Sequence, residues 1–236
     1  MRLVHGSMLA LALVTFVPAA VAAQEGGDAS RIVKDGGIKV PGWEGKIDAQ
    51  EVKAGQTLNN AKLAPGPNGA LQVTTGPAVT YWNPKNVASG NYTVKATFNE
   101  SNYMGLNDHP HPYGIVIAGN DMGTDNQSYL YCSAYGNGTF IVRGFGPAPF
   151  QMGGRRPTAH DAVNKAAGKG SAVTQEIAVS VDADSVDCSI NGKVVASYPK
   201  SEVVGEGKLK STDGVYGIRF AHNTDAVVTG LTLTKQ

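Results

Sequence analysis

The stretch Ser128 to Phe145, SYLYCSAYGNGTFIVRGF, constrains the fold of this chain more than any other. Two alternating runs flank Tyr135-Gly136-Asn137-Gly138, and Asn-Gly between such runs is the strongest short-range hairpin signal. Strand side chains alternate between faces. Leu130, Cys132 and Ala134 therefore share one face, and Tyr129, Tyr131, Ser133 and Tyr135 the other. In the return strand Phe140 and Val142 match the apolar face. Thr139, Ile141, Arg143 and Phe145 match the tyrosine face. A chain with this hairpin has a greasy side to bury and a ring-bearing side that must meet something else.

The rest of the sequence repeats the pattern. Asn91 to Phe98 places Tyr92, Val94, Ala96 and Phe98 inward. Tyr113 to Gly119 is continuously apolar, as a central strand is. Thr174 to Val181 turns Ile177, Val179 and Val181 inward, and Ser185 to Ile190 does the same with Val186, Cys188 and Ile190. Asn191-Gly192 marks a second hairpin turn. Gly214 to Ala221 and Ala226 to Leu233 read as the closing strands. In the long connection Gly146–Ala172, Thr158 and Asp161 are spaced to start a short helix that Gly168 would end. About a dozen strands with little helix predict an all-β fold: a two-sheet antiparallel β-sandwich of jelly-roll type.

Residues 1–23 read as a signal peptide: Arg2, an apolar core from Met8 to Val17, and small residues Ala20 to Ala23 for cleavage. Residues 24–37 are expected to be a flexible leader, and 38–236 the sandwich domain. The mature protein is then expected in the periplasm or outside the cell. With 20 Lys and Arg against 19 Asp and Glu the net charge is +1, which implies neither a nucleic-acid surface nor an acidic partner. No later stretch has the roughly 20 apolar residues of a membrane span. The two cysteines, Cys132 and Cys188, both lie at apolar strand phases. An exported chain permits a disulfide between them; two separate buried thiols are the alternative.

The closing half carries a recognisable order: Ile190-Asn191-Gly192-Lys193, a loop, Gly214-Val215-Tyr216-Gly217-Ile218-Arg219-Phe220, and a last strand after Asn223. This resembles the concanavalin A-like lectin/glucanase superfamily, including its laminin-G-like and bacterial 3-keto-disaccharide hydrolase domains. His111-Pro112-Tyr113-Gly114 through Tyr131, with Phe140-Ile141-Val142-Arg143, is similar to a group of exported bacterial proteins of that fold. The resemblance, over roughly residues 38 to 236, implies the sandwich fold. It does not select a function, because one sandwich hosts lectins, hydrolases and adhesion modules.

Three functions compete. The first is glycan binding on an aromatic and arginine concave face. Tyr129, Tyr131, Arg143 and Trp82 would form its platform, with His109, His111, Arg155 and Arg156 at the rim. Aromatic rings suit sugars, being apolar in face and polar at the hydroxyl; arginine offers a rigid fork of donors. The second is a glycoside-processing enzyme with a histidine or metal-bound water as base. Its retaining-glucanase form is disfavoured, since that chemistry needs two carboxylates about 5 Å apart, and the strand acids Glu176 and Asp187 are isolated. The third is an envelope protein-interaction domain. No cofactor is required by any motif. His109 and His111, with Asp108, Asp121 and Asp125 nearby, can hold a divalent metal only if a third ligand is found. The spacing does not match the regular calcium loop. His160 and His222 are unassigned, each open to a role as general acid or as a surface residue.

Overall fold

The computed structural model describes residues 30–146 and 148–236. The expected signal peptide, and the expected leader before Ser30, lie outside the described residues. In chain order the strands are β1 (Gly37–Ile38), β2 (Glu44–Ile47), β3 (Ala61–Pro65), β4 (Leu71–Thr75), β5 (Val79–Ala88) and β6 (Tyr92–Glu100). The middle carries β7 (Tyr113–Asn120), β8 (Ser128–Tyr135), β9 (Thr139–Phe145), β10 (Pro149–Met152) and β11 (Thr158–Ala159). Then follow β12 (Val173–Val181), β13 (Ser185–Ile190), β14 (Lys193–Pro199), β15 (Gly214–Phe220) and β16 (Asp225–Lys235). Two short helices, α1 (Ala49–Lys53) and α2 (Lys200–Val203), lie between strands.

The strands form two packed sheets. One runs β1-β3-β4-β16-β6-β12-β13-β14; the other runs β10-β9-β8-β7-β15-β5-β2, with β11 added beside β9. All pairings are antiparallel except β1 with β3. The core between the sheets is built from the predicted inward residues: Leu130, Cys132, Ala134, Phe140 and Val142 from the hairpin meet Ile177, Val179, Val181, Val186 and Ile190. Strand β7 sits mid-sheet and is buried on both faces, which explains its continuous apolar run. Cys132 and Cys188 are joined, Cα atoms 5.9 Å apart, so a covalent staple links β8 of one sheet to β13 of the other.

Three expectations change. Tyr135 pairs with Thr139, so the hairpin loop is Gly136–Gly138, one residue longer than an Asn-Gly turn. Gly138 takes φ 88°, the left-handed residue that closes such three-residue loops. The second hairpin does use the two-residue form, with Asn191 and Gly192 both at positive φ. The expected helix at Thr158 is absent: Thr158 and Ala159 pair with β9, and the region then turns. Its donors are taken elsewhere, His160 N–H by the Gly138 carbonyl and Ala166 N–H by that of Gly136. Over its described part the leader is anchored. Arg31 pairs with Asp225 at 2.6 Å and donates to the Thr75 carbonyl at 2.8 Å, and Val33 is buried.

The inward row of β6 ends in an acid. Glu100 is buried, and burial, with Asp225 nearby, raises its carboxyl from 4.5 to about 7. The folded state therefore binds this proton more tightly than the unfolded chain. Stability contributed by the neutral carboxyl is present below pH 4.5 and is lost as pH rises toward 7. The shift corresponds to about 3 kcal/mol. Glu100→Gln keeps the shape without the charge, so urea unfolding should show it gaining on the wild type between pH 5 and pH 8. Parallel pH profiles for the two proteins would refute this.

Candidate functional site

The outer face of the sheet that contains β8 and β9 is where the tyrosine row points. Cross-strand register places Arg143, Tyr131, Val116, Gly217 and Trp82 along one row, and Ser133, Gly114, Arg219 and Thr80 along the next. Val116, Tyr129 and Tyr131 form a small second cluster with Phe145, separate from the core between the sheets. Gly114 stands between Arg219 and Ser133 and puts no side chain in the way. The Arg219 guanidinium lies 5.0 Å from the Tyr131 ring centroid and 5.1 Å from that of Phe145.

Arg219 is the most heavily bonded group on this face. Its Nη1 donates to Asp48 Oδ1 at 2.8 Å, to Thr80 Oγ1 at 2.9 Å and to Tyr129 Oη at 3.1 Å; Nη2 bonds the other Asp48 oxygen. Burial alone would lower the guanidinium pKa, but Asp48 together with Tyr129 and Tyr131 raises it overall. Asp48 sits at the N-cap of α1 yet makes no side-chain cap bond, because its carboxylate goes to Arg219. Burial pushes the Tyr129 hydroxyl well above its ordinary value, so it stays a neutral donor and acceptor.

Beside this cluster three histidines converge. His111, at the entrance to β7, donates from Nδ1 to the His222 carbonyl at 2.7 Å, since a carbonyl only accepts. Its Nε2 lies 3.0 Å from His109 Nε2, and His109 Nδ1 is 2.5 Å from Asp108 Oδ1. His222 Nδ1 is 3.9 Å from Glu51 Oε1 of α1. Pro110 and Pro112 stiffen the approach and hold the rings edge to face, with His111 and His222 centroids 4.0 Å apart. These groups open on a cavity of about 310 Å³, shared with Tyr131, Tyr135, Arg143 and Arg219. A second cavity of about 590 Å³ continues from it past Asn137, Thr139 and Arg156; the two share His109, Pro110, Tyr135 and Arg143. Burial raises the Tyr135 hydroxyl to about 12, with Arg143 offsetting part of the effect.

The predicted residues divide accordingly. His109, His111, Tyr131 and Arg143 line the first cavity and Arg156 the second, while Arg155 accepts from Arg143 Nη2 through its carbonyl at 3.2 Å. Trp82 and Tyr129 occupy the right face but are buried. Gly123 lies against the Trp82 ring, and Tyr129 is under Phe145 and Arg219. His160 meets Phe140 edge to face and lines neither cavity. Asp48, Glu51, Tyr135, Arg219 and His222 were not among the expected site residues. Arg219 and Tyr135 leave a trace in the sequence within strand motifs, and His222 as an unassigned histidine. Asp121 pairs with Lys210 and Asp125 with Lys46, both away from the histidines. Among the described residues no group of three or more His, Cys, Asp or Glu side chains is arranged to hold a metal ion. Nor is any helix there long and apolar enough to cross a membrane.

No family model and no curated protein matches the sequence. Solved structures do match the fold. Carbohydrate-binding module CBM66 from Bacillus subtilis superposes with a TM-score of 0.53 at 11% identity, covering 84% of this chain and 98% of that one. The endo-β-1,3-glucanase from Pyrococcus furiosus gives 0.50 at 13% identity, covering 87% and 90%. At these identities the likeness is one of architecture.

Proposed function

We propose that this chain, a jelly-roll sandwich of the concanavalin A-like lectin/glucanase fold, is an exported protein that binds a glycan in the groove on the sheet that contains β8 and β9. The observation that carries the reading is the groove itself. Two connected cavities run along one sheet face, with the rings of Tyr131 and Tyr135 beside the donors of Arg143 and the histidines. Apolar walls with a few convergent polar groups suit a small polar ligand. Fold neighbours that bind or process carbohydrate support the same direction. Export is supported by the sequence of residues 1–23 and by the Cys132–Cys188 bond, which persists in oxidising compartments.

Tyr131→Ala and Tyr135→Ala are each expected to weaken binding to the recognised glycan roughly tenfold, about 1.4 kcal/mol. A glycan array followed by calorimetry measures this, with thermal melting to confirm folding. Unchanged affinity in both folded variants would remove the groove from the reading.

The chain Asp108–His109–His111–His222 carbonyl favours a second reading, glycoside processing with a histidine as proton carrier. It brings titratable groups into a cavity beside the proposed ligand. The carboxylates of Asp48 and Glu51 are already bonded, to Arg219 and to the Ala78 N–H respectively. A turnover screen with His111→Gln as control separates the two readings: product formation abolished by that variant establishes the enzyme.

A further inference from the structure

We infer that the glycan taken by this groove is acidic, its sugar units carrying carboxylate or sulfate groups that lie along Arg143 and Arg156; the inference rests on the glycan reading above. Charge along the groove is uneven. At the inner end each acid is committed: Asp48 holds Arg219 through both oxygens, and Glu51 accepts from the Ala78 N–H at 3.2 Å and the Ser30 hydroxyl at 3.3 Å. The outer cavity is different. Arg143 and Arg156 line it, and no acidic side chain does. Among the described residues neither arginine is in an ion pair. Arg143 Nε is buried from water and meets no acceptor there, while its Nη2 reaches only the Arg155 carbonyl.

The Nη donors of Arg143 and the guanidinium of Arg156 line the cavity and can take an anionic oxygen, and charge-assisted bonds are about twice as strong as neutral ones. Strand β9 fixes the Arg143 backbone opposite Tyr131, so its donors are set beside an aromatic wall. Arg156 stands exposed at the far side of the same cavity. Two cations spaced along a groove with ring walls suit a polymer bearing a negative group on successive sugars. A neutral sugar offers neither guanidinium a counter-charge.

The test is binding of the full mature protein to four polymers of matched length. They are a polyuronate oligosaccharide, a sulfated galactan oligosaccharide, a neutral β-glucan oligosaccharide and polyglutamate. At least tenfold tighter binding of one or both acidic sugars than of the β-glucan supports the inference, and the better acidic arm names the group. Arg143→Gln should lose tenfold or more of that affinity. Arg156→Gln, on an exposed side chain that cannot disturb folding, should lose several-fold. Lys193→Gln, on the opposite sheet, should lose none. Equal binding of neutral and acidic sugars, or Arg156→Gln and Arg143→Gln both at wild-type affinity, overturns the inference and leaves glycan binding standing. Polyglutamate binding as tightly as the acidic sugars shows that charge alone is read and overturns it too. Failure of every sugar to bind overturns the glycan reading itself.

Discussion

Arg219→Met should destabilise the protein by about 3–5 kcal/mol, the cost of stranding one partner of a buried ion pair. The Arg219 and Asp48 side chains are 10% and 25% exposed, so the lower end of the range is expected. The variant leaves the Asp48 carboxylate without its cation and removes donors from Thr80 and Tyr129. It also removes the cation seated against Tyr131 and Phe145, a contact worth about 0.5–2 kcal/mol in its own right. Guanidinium unfolding measures the loss. The double variant Asp48→Asn with Arg219→Met should recover part of it, because no charge is then left buried. A loss under about 1 kcal/mol in the single variant would mean that Asp48 is solvated well enough to stand alone. The pair also fixes α1 against the sheet, so ligand binding should weaken together with stability.

Removing the inter-sheet disulfide is the second large effect. The bond closes a loop with a sequence separation of 56, and the chain-entropy relation assigns such a loop about 4 kcal/mol. Cys132→Ala with Cys188→Ala should therefore lower the unfolding free energy by about 4 kcal/mol, with a small further loss from the two buried sulfurs. Reduction of the wild type under mild denaturant should produce a loss of the same size. The double variant should show no response to reductant. Equal stability of oxidised and reduced wild type would refute the entropic account. The core around these positions is closely built, with Val142 opposite Cys132 and Val179 opposite Cys188.

Much of this was legible before any coordinates. The phase of Leu130, Cys132 and Ala134 against Tyr129, Tyr131 and Ser133 is a local property, and it survives intact in the two clusters on either side of the sheet. The cysteine pairing was legible as a possibility because both residues fell on inward phases. The site was legible only on β7, β8, β9 and the His109–His111 approach. Trp82 shows the limit. It stands on the expected face but is buried there, with Gly123 beside its ring. Thr158 shows another. Its capping pattern is real, yet Phe140 and Thr139 of β9 pair with Thr158 and Ala159 and hold the segment extended.

Alternation with period two, together with the glycines at the turns, determined the sandwich, its central strands and which side chains turn away from the core. Those features depend on neighbours within a few residues. Access to the outer face was decided only in three dimensions. Arg219 meets Asp48 across 171 residues, and His111 meets His222 across 111. No local pattern records which distant segment lies over a sheet. Desolvation by that segment is what separates a buried Tyr129 from a Tyr131 at the cavity wall.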